Sequence, residues 1–239
     1  MYTESKQIKN NRNTKIFMDS LATDTKNDLS KIINKNINIL VWQRKVSQTL
    51  IKESESIINQ NPKLALSEIV SPEDTKYILI NQLDSLNELS NIIDDISSIV
   101  EIFCNLFGIE RAWLRLDAID SPMCPRFHTD NVKCRLVTTY YGPGTQWLPN
   151  HLADTTKLGA GNEGLPDKDS GLYFDEENIK QLNVGDIALL KGEGWEGNKG
   201  KGLIHRSPHS NQIYRRLYMT IDFVELYFKI YENQFKNLT

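Results

Sequence analysis

The chain has 239 residues, a formal charge of -3 and a pI near 5.9, with 39% hydrophobic and 25% charged residues. That length holds a substantial core, and the composition is that of a folded aqueous protein rather than a disordered or membrane-embedded one. The charge excludes a general attraction for nucleic acid, whose binders present a basic face. No apolar run reaches spanning length, and the N-terminal stretch lacks the apolar core of a signal peptide, so the expected location is the cytoplasm, with no membrane partner. Cys104, Cys124 and Cys134 are odd in number and irregularly spaced, which points to reduced thiols rather than a disulfide framework.

Residues 1–24 are polar and rich in Asn and Lys, the composition of a tail. Residues 25–239 read as one domain, mainly helical over 25–108, β-rich over 109–225, with a C-terminal segment, 226–239, read as helix. Leu29, Ile32 and Ile33 fall at helical spacing, and Ile37, Ile39 and Val41 alternate like a short strand. Val46, Leu50, Ile57 and Ile58 mark an amphipathic helix that ends before Pro62. Ser71-Pro72-Glu73-Asp74 has the capping residues of a helix start, although Tyr77 to Ile80 suits a strand equally. Leu83, Leu86, Leu89, Ile93, Ile96, Val100, Phe103 and Phe107 predict the clearest helix, stopped by Gly108, with Cys104 packed beside its apolar stripe.

From Arg111 the pattern becomes alternation: Ala112, Leu114, Leu116 and Ala118 face one way, and Trp113, Arg115, Asp117 and Ile119 the other. Extended segments follow over 127–130 and 135–141, closed by Gly142-Pro143-Gly144. Residues 150–180 are rich in glycine and read as a long loop of the kind that covers sites. A turn at Val184-Gly185-Asp186 leads into the buried strand Ile187 to Leu190. A glycine-rich run, 192–202, precedes His205, and residues 216–224 form a strong strand. Helices first and six to eight short strands afterwards predict an α+β fold. Its N-terminal helices would pack on a C-terminal antiparallel double-stranded β-helix, a jelly roll of cupin-like type.

The chemistry concentrates in Arg126-Phe127-His128-Thr129-Asp130 and Gly202-Leu203-Ile204-His205-Arg206-Ser207-Pro208. On a strand, residues two apart project from one face with Cα atoms about 6.5 Å apart, so His128 and Asp130 can share an ion while Thr129 points away. A histidine from another strand completes a two-His, one-carboxylate facial set, which suits Fe(II) and leaves positions open; zinc accepts the same ligands. His205 ends an apolar segment and is favoured for that position over His209, which sits among polar residues. His151 reads as a loop histidine. A rival scheme is a closed zinc site of Cys124, His128, Cys134 and His205. The bland reading gives His128 and His205 satisfied structural hydrogen bonds and no metal.

Arg216, in the tandem Arg215-Arg216, could grip a co-substrate carboxylate with paired hydrogen bonds if it shares an inner face with Tyr218 and Thr220; Arg215 would then face outward. Tyr140 or Tyr141 could donate to the same carboxylate. Arg135, Trp147 and Trp195 are candidates for substrate contact, with the 150–180 loop as a lid.

These motifs, together with Tyr141-Gly142-Pro143-Gly144-Thr145-Gln146-Trp147-Leu148-Pro149 and Gly185-Asp186-Ile187-Ala188-Leu189-Leu190-Lys191-Gly192, resemble a bacterial family catalogued as domain of unknown function 1826, over roughly residues 30–225. A looser resemblance, on His128, Asp130, His205 and Arg216, is to the Fe(II)/2-oxoglutarate oxygenases. It departs from them in having Arg216-Leu217-Tyr218 where they have Arg-x-Ser. It implies a dioxygenase using Fe(II) and 2-oxoglutarate on a small-molecule or protein substrate, with no catalytic side chain beyond the metal ligands. The alternative is a non-catalytic zinc-binding protein of metal homeostasis.

Overall fold

Isoleucines at three- and four-residue spacing make the longest helix among the described residues. In α3 (Ser90–Phe107), Ile92, Ile96, Ile99, Val100 and Phe103 form one wholly buried stripe. Gly108 ends it in the left-handed conformation, φ 62°, which lets the Ile109 amide reach the Cys104 carbonyl at 3.0 Å. The computed structural model describes residues 19–83, 89–208 and 214–224. Leu86, His209 and the C-terminal segment 226–239 lie outside them.

Two shorter helices precede it. Ser47 caps α1 (Gln48–Gln60) through the Leu50 amide. The start signal at Ser71 is a reciprocal pair: the Asp74 amide donates to Ser71 Oγ and the Ser71 amide to Asp74 Oδ1. That turn opens α2 (Thr75–Gln82), so the ambiguous Tyr77 to Ile80 segment is helical.

Ten strands are present among the described residues: β1 (Ser20–Thr23), β2 (Ile39–Trp42), β3 (Ala65–Val70), β4 (Ala112–Ile119), β5 (Cys134–Tyr141), β6 (Gln146–Leu148), β7 (Lys180–Gln181), β8 (Ile187–Lys191), β9 (Ile204–Arg206) and β10 (Arg216–Phe223). Seven form a large sheet in the order β1-β2-β8-β5-β10-β4-β3, antiparallel except for the β1/β2 pair. A small antiparallel sheet, β7-β6-β9, is extended by one reciprocal pairing of His128 with His205. The architecture is a mixed one, helices on a large, mainly antiparallel sheet.

Two expectations change. The tail does not run to Asp24, because Ser20–Thr23 pairs with β2 as an edge strand. The 25–108 region, read as mainly helical with one short strand, supplies two strands, β2 and β3, to the same sheet as β4, β5 and β10.

Alternation along the strands sorts side chains into three clusters. Leu40, Leu114, Leu116, Leu136, Met219 and Ile221 face the helices. Ile39, Val41, Val137, Trp147, Ala188 and Leu203 fill the space between the sheets. Phe127, Leu148, Leu172, Tyr173 and Ile204 lie on the outer side of the small sheet. The long 150–180 excursion, with short 3₁₀ turns at Asn150–Leu152, Thr155–Lys157, Gly159–Asn162 and Glu176–Asn178, supplies Leu172 and Tyr173 to that outer cluster. It therefore packs behind the small sheet rather than closing as a lid over the paired histidines.

Candidate metal centre

The His128 and His205 amides each donate to the other's carbonyl at 3.0 Å, which fixes the two residues side by side. Period-two alternation then sets their direction. Phe127 and Ile204 point into the outer cluster, so His128 and His205 point inward, and Thr129 turns out to donate to Glu193 Oε1 at 2.6 Å. Asp130, two residues beyond His128, returns to the inner face. Its backbone is held by Gly192 and Glu193. The Glu193 amide donates to the Asp130 carbonyl at 2.8 Å, and a Cβ on Gly192 would meet the Val132 and Asp130 carbonyl oxygens. The glycine-rich run thus positions the carboxylate as well as leading to His205.

The ligand atoms of His128, Asp130 and His205 all lie within 4.8 Å of one another. His128 Nε2 is 3.7 Å from Asp130 Oδ1, and His205 Nε2 is 3.4 Å from Asp130 Oδ2. Each ring turns Nδ1 to a backbone carbonyl, Arg126 at 2.9 Å and Leu203 at 3.1 Å. A carbonyl can only accept, so the proton sits on Nδ1 and the Nε2 lone pairs converge. Burial, reinforced by His205, pushes the His128 pKa down and keeps that imidazole neutral at neutral pH. Burial disfavours the Asp130 carboxylate, yet its polar neighbours, His205 first and then the Arg135 guanidinium and His128, outweigh it and hold the carboxyl well below its usual range. The side chains of His128, Asp130 and His205 are 33%, 20% and 10% exposed, which leaves one side of the trio to solvent.

Arg135, expected to meet substrate, is held by two carboxylates. Its Nη1 donates to Asp130 Oδ2 at 2.5 Å, while Nε holds Asp222 Oδ1 at 2.8 Å. Arg115 grips the other Asp222 oxygen, 2.5 Å from Nη2. The guanidinium thus orients the acidic ligand.

Arg216 lies on the inner face, as Leu217, Met219 and Ile221 pack toward the helices. Arg215 turns outward to the Ile58 carbonyl at the end of α1. Arg216 is 2% exposed, and its Nη2 donates to Thr139 Oγ1 at 2.9 Å and Thr145 Oγ1 at 2.7 Å. No carboxylate pairs with it among the described residues. Burial accordingly pulls its pKa down, against the opposing effect of the Tyr214 hydroxyl beside it. Tyr218 donates to Met123 Sδ at 3.0 Å.

Other candidates are not brought to the trio. Tyr140 faces the helices and donates to Asp95, whose carboxylate also takes both Nη atoms of Arg44. Tyr141 and Trp195 pack on that same helix-side cluster, Trp195 against Phe107 and under the Lys191 ammonium. Trp147 does face the inter-sheet interior and is the cross-strand partner of His205. The four-ligand thiol scheme is not formed, because Cys134 is fully buried on the helix side and Cys124 is exposed. Cys104 is a core residue, its thiol pushed up to about 11 by burial. His151 sits in its loop with Nδ1 3.6 Å from Asp19.

Missed by the sequence reading was Asp167, in the long excursion. Its Oδ2 accepts from the Phe127 amide at 3.0 Å and Arg206 Nη1 at 2.9 Å. One buried carboxylate thereby ties the residue before His128 to the residue after His205.

None of the curated proteins matches the chain. Among solved structures it is similar to dioxygenase for auxin oxidation 1 from Arabidopsis thaliana in its 2-oxoglutarate complex, at 10% identity over 87% of this chain and 92% of that one, TM-score 0.48. The corresponding rice dioxygenase gives 9%, 87%, 83% and 0.48. HygX from Streptomyces hygroscopicus with nickel and 2-oxoglutarate bound gives 12%, 82%, 85% and 0.42. The sequence profile described as "Protein of unknown function (DUF1826)" matches residues 23–222, most of the chain, and the protein belongs to that family.

Proposed function

We propose that this protein is an Fe(II)- and 2-oxoglutarate-dependent oxygenase whose two facing sheets form a jelly roll. The observation that carries the reading is the convergence of two Nε2 lone pairs and one carboxylate, solvent-open on one side, with an inward-facing arginine that lacks a carboxylate partner among the described residues. His128, Asp130 and His205 would hold the metal. Bound Fe(II), with 2-oxoglutarate and dioxygen, supplies a two-electron oxidation of substrate coupled to conversion of the oxo acid to succinate and carbon dioxide.

The residues fit the co-substrate as well as the metal. A buried guanidinium without a counter-charge is costly. A carboxylate bound there relieves that cost, taking hydrogen bonds from Arg216 and from the buried Tyr214 hydroxyl beside it. Thr145, which touches Arg216, stands two residues along the chain from Trp147, the partner of His205. That is about 7 Å at strand rise, the order of length of a five-carbon diacid. Trp147 would bound this space on the small-sheet side. Asp130, oriented by Arg135, and the two imidazoles, oriented by backbone carbonyls, are set before anything binds.

The test is metal analysis of the purified full chain, then Fe(II)-dependent succinate formation from 2-oxoglutarate under air. His128→Ala and His205→Ala should lose both metal and turnover. Arg216→Ala should keep the metal and raise the KM for 2-oxoglutarate by about tenfold or more, the loss of a charge-assisted pair. Tight zinc with no Fe(II)-dependent succinate would overturn the reading in favour of a zinc-binding protein.

A further inference from the structure

The segment immediately after Asp130 borders a second feature. A cavity of about 220 Å³ lies at the end of β4 and β10, and its wall includes Trp113, Val132, Lys133, Arg135, Asp222 and Phe223. Arg135 is common to this cavity and to the trio, since the same guanidinium that lines it donates to Asp130. Whatever fills the cavity therefore touches the residue that holds the acidic ligand.

Its walls are aromatic and braced. Trp113 Nε1 donates to Ser67 Oγ at 2.8 Å, and the Arg115 guanidinium lies 4.5 Å from the indole. Phe223 packs on Phe103 and Phe107, with ring centroids 5.4 and 5.0 Å away. Both rings nevertheless remain partly exposed. Rigid apolar surface left open in a concavity is the usual make-up of a small-molecule site. The volume is below the roughly 300–1,000 Å³ that holds drug-sized ligands, so one ring or two fused rings set the limit.

Charge supplies the rest of the recognition. Arg135 and Asp222 neutralise each other across the inner wall. Lys133 is exposed, and its ammonium stands 5.6 Å from the Phe223 ring centroid, over the aromatic wall. A flat ligand seated against these rings would bring a carboxylate or other anionic group to that ammonium.

We infer that this cavity is the substrate subsite, taking a flat one- or two-ring aromatic molecule that carries an anionic group read by Lys133. Its being a substrate rests on the oxygenase reading; the binding chemistry does not. The site is tested by isothermal titration calorimetry of the full chain with naphthalene-2-carboxylate and, in parallel, the uncharged naphthalene-2-carboxamide.

The expected result is saturable binding of the carboxylate with a Kd of about 0.1 mM, in line with a ligand of that size. The amide should bind about tenfold more weakly, and Lys133→Gln should abolish that difference while leaving the amide unchanged. Val132→Trp, which fills the cavity from its rim, should eliminate binding of both, with an unchanged thermal transition to show that the variant folds. Equal affinity for the two compounds, discrimination that survives Lys133→Gln, undiminished binding by Val132→Trp, or no heat with the carboxylate would each overturn the proposal. The measurement involves no turnover. Ligand binding without Fe(II)-dependent succinate formation would sink the oxygenase reading and leave the site standing, and the converse would remove the site alone.

Discussion

Asp222 carries more of the candidate centre than its distance from the histidines in sequence suggests. It is 3% exposed, and its carboxylate receives Arg115 and Arg135, the latter reaching on to Asp130. Removing the charge takes the shared carboxylate from Arg115 and leaves Arg135 with Asp130 alone, a cost of about 3 kcal/mol where a buried pair is broken. Asp222→Asn should therefore lower unfolding stability by about that amount in urea denaturation. It should also weaken metal binding by about tenfold, because a residue behind a ligand sets the ligand's direction. Unchanged metal affinity in a folded Asp222→Asn protein would mean that Arg135 orients Asp130 unaided. None of this was readable in the sequence. His128 and Asp130 stood out because a strand carries both partners within three residues, so phase alone brings them together. Arg135 and Asp222 are 87 residues apart and meet because β5 pairs with β10 so that Leu136 stands opposite Ile221. Alternation put Arg135 on the inner face, but a face does not name a carboxylate partner. The same limit misplaced Tyr140, one residue out of phase with the inner face and committed to Asp95.

At the scale of elements, α3 shows how one helix start is completed by another helix. Leu89 at its N-cap has no side chain that can accept, and no acidic residue occupies its first turn. Glu53, buried on α1, accepts instead from the Ile92 amide at 2.7 Å and from Asn91 Nδ2 at 2.6 Å. A carboxylate there satisfies orphan amides and meets the positive end of the helix dipole. Glu53→Ala should destabilise the protein by about 1–3 kcal/mol, the penalty for leaving buried donors unmade. Amide exchange should accelerate first at Asn91 and Ile92; uniform acceleration along α3 would mean that Glu53 does not cap it. The existence of α3 was evident from its isoleucine period, but its cap was not, because the capping group comes from 38 residues away. Strands β1 and β3 were missed for a related reason. At four and six residues, with Ser67 and Glu68 in the middle of β3, they are short and polar, and they become strands by pairing with β2 and β4. The small sheet was legible only as separate extended pieces around glycine turns, whose closure depends on Asp167 in the excursion behind it.

Across the whole molecule, the large sheet is covered by the helices on one face and, over β2, β8 and β5, by the small sheet on the other. The helix-side face carries the larger cluster, whereas the small sheet is three short strands held by the inter-sheet residues, the outer cluster and the Asp167 anchor. A metal bound by His128, Asp130 and His205 would add a further tie, because His205 belongs to β9 of the small sheet and Asp130 is joined through Arg135 to β5 and β10 of the large one. A ligand that binds only the folded state stabilises it by about 2.7 kcal/mol at a hundredfold excess over its Kd. For a chain of this size that corresponds to a rise in Tm of about 5–10 °C. Thermal denaturation of the full chain with and without chelator should show this difference. It should vanish in both His128→Ala and His205→Ala yet persist in Arg216→Ala, whose guanidinium contacts hydroxyls rather than the trio. A chelator-sensitive Tm that survives loss of either histidine would place the stabilising metal elsewhere. A shift lost in Arg216→Ala as well would mean that the two ends of the inter-sheet interior fold as one unit, with the arginine required to form the metal site rather than to bind a co-substrate beside it.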